Sequence, residues 1–330
     1  MAGSAKLPDN IFPVKNFISD LPSDLIVPKS SEHAFPRRRL VIVGDVHGMR
    51  KSLEALLEEV KFDKANGDHL ILVGDLINKG PDSPGVVDLA MKLGASAVRG
   101  NHDNAVLDAS AELKDESRRQ AILDALSAHG HAQPEAGTVD SKNDAVSAEN
   151  SRSTTEPQMR HGLNCYRTAL ELSGTHLEWL ANLPLILRLK LPLHISPFLG
   201  DTLVVVHAGL VPGLPLEAQD AHTVMHMRSF TRSPEDGNAL VASEEFGEEG
   251  WATQWDRSQE GLVSRITVVF GHDAKRRLQL NKHAIGLDSG CLYGNRLSAL
   301  VIEFGEATVN HHVTQVECAD DPIAPKVATG

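Results

Sequence analysis

RRRLVIVGDVHG (37–48) is the stretch from which the fold is read. Its first half is a short, β-branched apolar run, the composition of a buried strand, and it stops abruptly at Gly44-Asp45. Downstream, Leu53, Leu56, Leu57 and Val60 recur at helical spacing, with Ser52 placed as the N-cap. HLILV (69–73) is a second strand that again ends at Gly-Asp, PGVVDLAMKL (84–93) a helix, and SAVR (96–99) a third strand that ends at Gly100-Asn101. Repetition of strand, polar loop and helix implies a layered α/β sheet. In such sheets the loops beyond the C-terminal strand ends line the ligand crevice, so these polar loops are expected to converge.

The rest of the chain extends this plan. Helical spacing runs from Cys165 to Leu183, and strands are predicted at 185–191, 202–207, 265–270, 284–287, 296–304 and 307–316. Residues 1–37, rich in Pro, Ser and Asp, read as an irregular lead-in, 38–316 as one domain, and 317–330 as a disordered tail. Within the domain, 128–160 is Ser-, Asn-, Glu- and Pro-rich and reads as a disordered insertion, because it has too few apolar residues to offset its ordering entropy. Three scattered cysteines suit neither a disulfide framework nor a thiolate zinc site, and fit a reducing compartment. No signal peptide or membrane span is recognised, so a soluble, cytoplasmic protein is expected. The formal charge of −12 argues against a partner such as duplex DNA.

Five short elements concentrate the chemistry: GDVHG (44–48), GDLINKGPDS (74–83), GNHD (100–103), HAGL (207–210) and GHD (271–273). Each sits at or just after a predicted strand end. Together they offer oxygen and imidazole donors from Asp45, His47, Asp75, Asn101, His207 and His272, without a cysteine. That set suits divalent Mn, Fe, Zn or Co rather than a structural thiolate site. Six donors exceed the need of one tetrahedral ion but suit two ions sharing a carboxylate. Such a pair turns a bridging water into hydroxide and clamps a phosphoryl group, which makes in-line hydrolytic phosphoryl transfer the expected reaction. Turn-forming Asx residues beside glycine are the plainer explanation for any one of these positions, but not for three histidines in matching context.

The elements, their order and their spacing resemble the phosphoprotein phosphatase branch of the calcineurin-like metallophosphoesterases, from about Arg39 to Phe304. The resemblance implies a central β-sandwich flanked by helices, with a dinuclear metal site on the strand-end loops. It implies Asp45 and His47 on the first metal, Asp75 as the bridge, Asn101, His207 and His272 on the second, and His102 as general acid. Arg228, in MHMRSF, resembles a phosphate-clamping arginine; Asp288 and Cys291 match the structural closing segment. One departure is informative: protein phosphatases of this branch read Asp-Arg where this chain has Asn78-Lys79. Asn78 thus replaces the carboxylate that orients the catalytic histidine, and Lys79 replaces a bidentate fork by a point charge. GDLINKGPDS and GNHD instead resemble the ApaH-like phosphatases, a group associated with phosphoanhydrides. A polyphosphate or dinucleoside polyphosphate substrate is therefore expected, with a Ser/Thr phosphoprotein phosphatase and a non-catalytic phosphate-binding scaffold as the alternatives.

Lys79 and Arg228 are expected to touch phosphate, whereas Arg99 is either a third contact or simply the end of its strand. Protein partners are not indicated. His222 and His226 share a helical face but read as packing or solvent-facing, EEFGEEG (244–250) as a solvated loop, and Trp251 with Trp255 as core.

Overall fold

The computed structural model describes residues 11–26, 38–129, 159–191, 199–233, 239–305 and 309–323. The first half alternates strands and helices: β1 (Ile18–Asp20), β2 (Arg38–Val43), α1 (Arg50–Glu59), β3 (Asp68–Leu72), α2 (Ser83–Leu93), β4 (Ser96–Ala97), α3 (Asn101–Glu112) and α4 (Glu116–Ala128). Then follow α5 (Leu163–Glu171), α6 (Gly174–Ala181), β5 (Ile186–Lys190), β6 (Thr202–Val206), α7 (Ala221–His226), β7 (Ser229–Arg232), β8 (Leu240–Ser243) and α8 (Trp251–Ser258). β9 (Ile266–Phe270), β10 (Gln279–Leu280), β11 (Ala284–Gly286), β12 (Arg296–Phe304) and β13 (Val309–Glu317) complete the described chain.

Two sheets result, of order β1-β5-β6-β9-β11-β10 and β13-β12-β2-β3-β4, with β7 and β8 forming a separate hairpin. Their central strands are apolar on both faces because both faces are covered. Along β2, Leu40 and Ile42 point between the sheets with Ile71, Leu300, Leu203, Val205 and Val269. Val41 and Val43, offset by one residue, pack instead on Leu53, Leu56, Val86 and Val106 from α1, α2 and α3. The second sheet behaves likewise, sending Val204, Val206, Val268 and Phe270 to Val224 of α7 and to Trp251 and Trp255 of α8. The layered helix–sheet–sheet–helix arrangement expected from the sequence is thus present, and both tryptophans are core residues.

Several local expectations need correction. Ser52 does not cap α1: it lies inside the helix, and the buried carboxylate of Asp320 does the capping from the far end of the chain. Asp320 accepts from the backbone N–H of Lys51 at 3.3 Å and of Ser52 at 2.8 Å, and from the Ser52 hydroxyl at 2.7 Å. Residues 317–323 are therefore ordered rather than tail, with Glu317 in β13 and the Ile323 N–H donating to Leu292 O at 2.9 Å. Within the expected lead-in, Ile18–Asp20 pairs in parallel with β5, an edge position that the local composition does not signal. The helix predicted over 165–183 is two helices, because Ser173 interrupts it and caps α6 by accepting from the His176 N–H. Most of the low-complexity insertion, 130–158, lies outside the described residues.

Candidate active site

The candidate residues sit on loops that the sheets bring to one edge, and their backbone conformations are unusual. Seven described non-glycine residues have φ in the left-handed region, and five of them are His47, Asp75, Asn78, Lys79 and His272. Side chains resist that region, so its concentration here is the mark of a site whose geometry is imposed by the surrounding fold. Direct cross-links impose it. The His47 N–H donates to Asp75 O at 2.8 Å, Gly80 N–H to His47 O at 2.9 Å, and Gly271 N–H to His207 O at 2.8 Å. Gly74, at φ 94°, passes so close to the neighbouring loops that a Cβ there would lie 2.8 Å from both Gly100 N and His207 Nδ1.

Asp103 is the clamp that the sequence reading missed. Fully buried, it accepts from the N–H groups of Leu76 (2.9 Å), Ile77 (3.2 Å) and Gly100 (2.9 Å). It thereby fastens the second motif to the first turn of α3, where Asn101 and His102 reside. Its spacing from Gly100 is that of a capping box, which is the signal that could have identified it.

Two groups of potential ligands meet at a shared carboxylate. Asp45, His47 and Asp75 form one cluster and Asp75, His207 and His272 the other, all buried. Asp75 Oδ2 lies 3.5 Å from His47 Nε2, and Oδ1 lies 3.4 Å from His207 Nε2. Asn101 Oδ1 completes the second group, 2.9 Å from His207 Nε2 and 3.1 Å from His272 Nδ1. The ring orientations are set from behind. His207 Nδ1 donates to Val73 O (3.0 Å) and His272 Nε2 to His226 O (3.1 Å), leaving His207 Nε2 and His272 Nδ1 directed at the cluster. With both imidazoles neutral, as ligation requires, an amide oxygen, a carboxylate and two nitrogen lone pairs converge where a cation would hold them together. The donor set therefore fits a metal.

The electrostatics agree. Burial, reinforced by the charges of Asp288 and Asp75, pushes the Asp45 carboxyl well above the usual carboxylate range. Asp75 also pays for burial, but His207, His102 and His47 outweigh this and hold it well below that range. Burial drives His47 and His272 well below the ordinary imidazole value. For His207, burial pulls downward, yet the charge and hydrogen bond of Asp75 leave it raised.

Beside this cluster, His102 meets Asn78 and Lys79. Lys79 N–H donates to Asn78 Oδ1 at 2.9 Å, which fixes the amide so that its Nδ2 faces His102 Nδ1 at 3.3 Å. His102 Nε2 lies 2.7 Å from Lys79 Nζ, and because an ammonium only donates, Nε2 is the acceptor in this contact. Arg228 is buried, donates from Nη1 to His272 O at 2.8 Å and lies 4.7 Å from the centre of the Phe246 ring. Arg99 is elsewhere: completely buried, it donates to Phe12 O (2.9 Å), Pro13 O (3.4 Å) and Ala181 O (2.8 Å). Its guanidinium holds the N-terminal segment to the C-terminal end of α6, so the structure does not bring it into the phosphate site.

The chain matches calcineurin-like phosphoesterases over residues 38–285. It belongs to that family. This metallophosphoesterase is 26% identical to the zinc-dependent endopolyphosphatase of Saccharomyces cerevisiae, over 92% of this chain and 88% of the relative. It is also 26% identical to the symmetrical bis(5'-nucleosyl)-tetraphosphatase of Nitrosospira multiformis, covering 84% of this chain and 94% of that one. Among solved structures it resembles a provisionally named diadenosine tetraphosphatase, with 31% identity, a TM-score of 0.60 and coverage of 92% and 98% of the two chains. The metallophosphoesterase is a hydrolase, and among its described residues no helix is long and apolar enough to cross a membrane.

Proposed function

We propose that this enzyme hydrolyses phosphoanhydride bonds, in inorganic polyphosphate or in a dinucleoside polyphosphate such as diadenosine tetraphosphate, at a centre of two divalent ions. The observation that carries the two-ion reading is the meeting of two buried ligand clusters at Asp75. Asp45 and His47 would hold one ion, Asn101, His207 and His272 the other, and Asp75 both. When bound, the ions supply Lewis acidity toward a phosphoryl oxygen and lower the pKa of water, so that a nucleophile exists at neutral pH.

The protein's own residues do the remaining work. Asp103 and the backbone bonds between motifs keep the ligands in place before substrate arrives, which limits reorganisation during the reaction. Arg228, anchored on His272 O, offers a fixed cation to the equatorial phosphoryl oxygens. His102 Nε2 and Lys79 Nζ converge on one spot, and with the imidazole protonated both are donors that suit the anionic oxygen of a departing phosphate. His102 delivers its proton from Nε2 to that oxygen while Lys79 screens the developing charge.

Asn78 favours an anhydride over a phosphoserine. An amide stabilises a protonated imidazole less than a carboxylate does, so His102 is a weaker reservoir of protons. A leaving phosphate, with its second pKa of about 6, needs little protonation. A departing alkoxide is far more basic and needs a good deal. The yeast and Nitrosospira relatives are named for polyphosphate and dinucleoside tetraphosphate cleavage, in line with this argument.

The test is a substrate panel. Purified enzyme supplied with zinc, manganese or cobalt is given polyphosphate, diadenosine tetraphosphate and a phosphopeptide at equal concentration. The anhydrides should be cleaved with much the higher kcat/KM; turnover of the phosphopeptide alone would overturn the proposal.

A further inference from the structure

His222 and His226, which the sequence leaves as packing or solvent-facing, come together with Glu244 outside the active-site cluster. The spacing within α7 places both histidines on one face, one turn apart. Their rings stack almost in parallel, 4.2 Å between centres and 13° between planes. Glu244, just beyond β8, reaches the same edge, with Oε1 2.8 Å from His222 Nε2. One potential ligand atom from each of the three residues lies within 4.8 Å of the others.

We propose that His222, His226 and Glu244 form a further divalent-metal site, separate from the proposed two-ion centre and suited to zinc or cobalt. Two histidines four residues apart on a helix with a glutamate from another element make a His₂Glu set, an established ligand combination for zinc with a fourth position left open. Ring stacking by itself accounts for the parallel planes, but not for the carboxylate that joins them. One cation would draw two imidazole nitrogens and a carboxylate oxygen to a common point, the rings turning out of their stack to aim both lone pairs at it.

The location gives the site a structural consequence. α7 runs into β7 through Met227 and Arg228, whose N–H donates to Ser243 O at 2.8 Å, and an ion at this point would add a side-chain pin to that junction. The pinned helix end supplies His226 O, which orients His272, and the two rings are 6.5 Å apart. The site therefore backs the active centre without contributing ligands to it.

The experiment measures metal content in the full chain. Wild type, His222→Gln and Glu244→Gln are stripped with chelator, reloaded with zinc or cobalt(II), equilibrated against metal-buffered solution and analysed by inductively coupled plasma mass spectrometry. Both side chains are about one-third exposed, so neither variant should disturb the core. Each should hold one equivalent less than wild type, and the cobalt-loaded difference spectrum should show a lost visible absorption band. The comparison is a difference between proteins with an intact Asp75 cluster, so it does not depend on how many ions that cluster takes. Equal metal content and equal cobalt spectra in all three proteins would overturn the proposal.

Discussion

Replacing Asn78 by aspartate probes the distinction between this enzyme and a protein phosphatase at a single side chain. The amide Nδ2 is 3.3 Å from His102 Nδ1. A carboxylate oxygen in its place would accept from Nδ1–H and favour the protonated ring. A hydrogen bond to a charged group contributes about 1.5–3 kcal/mol. At 1.36 kcal/mol per pKa unit, that is a rise of about one to two units in the alkaline limb of the pH–rate profile. Plain Coulomb attraction would be larger, about 4 kcal/mol for charges 4 Å apart at an effective dielectric of 20, but Lys79 draws on the same carboxylate and reduces its share. The sign is fixed: a raised histidine pKa keeps the acid loaded to higher pH, so activity persists further into the alkaline range. Because Asn78 is 1% exposed, the new charge also costs stability, on the order of 1–3 kcal/mol after pairing with His102 and Lys79. The assay is kcat/KM against pH for diadenosine tetraphosphate and for an aryl or alkyl phosphate, with Asn78→Ala as control. Asn78→Asp should move the limb upward and improve ester cleavage relative to anhydride cleavage. An unmoved limb, or the same movement in Asn78→Ala, would refute the assignment of Asn78 as the partner of His102.

Other predictions follow from the same geometry. Asp320→Ala strands the N–H groups at the start of α1 and should lower unfolding free energy by about 2–3 kcal/mol in urea titrations, while kcat of the folded enzyme stays near wild type. Arg99→Met should cost about 2 kcal/mol of stability through its lost carbonyl contacts, yet leave KM for polyphosphate unchanged; a KM rise of tenfold at intact stability would return Arg99 to the phosphate site. Metal binding should release protons, because Asp45 and His207 are both raised in the metal-free protein and must give theirs up. Affinity should therefore strengthen with rising pH through their titration, whereas His47 and His272, held low, contribute no protons. Calorimetry in two buffers of different ionisation enthalpy measures this release, and identical apparent enthalpies would contradict it.

How legible each feature was depended on the range of the interaction behind it. β2, β3 and their Gly-Asp endings could be read locally, since a buried strand is apolar along its whole length and a sharp exit needs glycine. The candidate ligands stood at those exits, so the loop motifs located them. Arg99 also stood at a strand end but turned away, because the fold offered it three backbone carbonyls from distant segments, a choice that local sequence does not encode. Asp320 is separated from Ser52 by more than half the chain, and its composition resembles that of an ordinary tail. β1 is too short for a periodicity and exists only because β5 provides an edge. Glu244 could not be linked to His222 and His226 for a similar reason: the shared helical face of the two histidines was readable, but only the β7–β8 hairpin delivers the glutamate.

The central claim is that two ions share Asp75, and electron paramagnetic resonance of the manganese-loaded enzyme tests it most directly. Two manganese ions joined through one carboxylate should give an exchange-coupled spectrum. That coupling should vanish in Asp75→Asn together with turnover of every substrate, while the chain remains folded by circular dichroism. A spectrum of isolated manganese ions in the wild type, or coupling and turnover that survive in Asp75→Asn, would contradict the account.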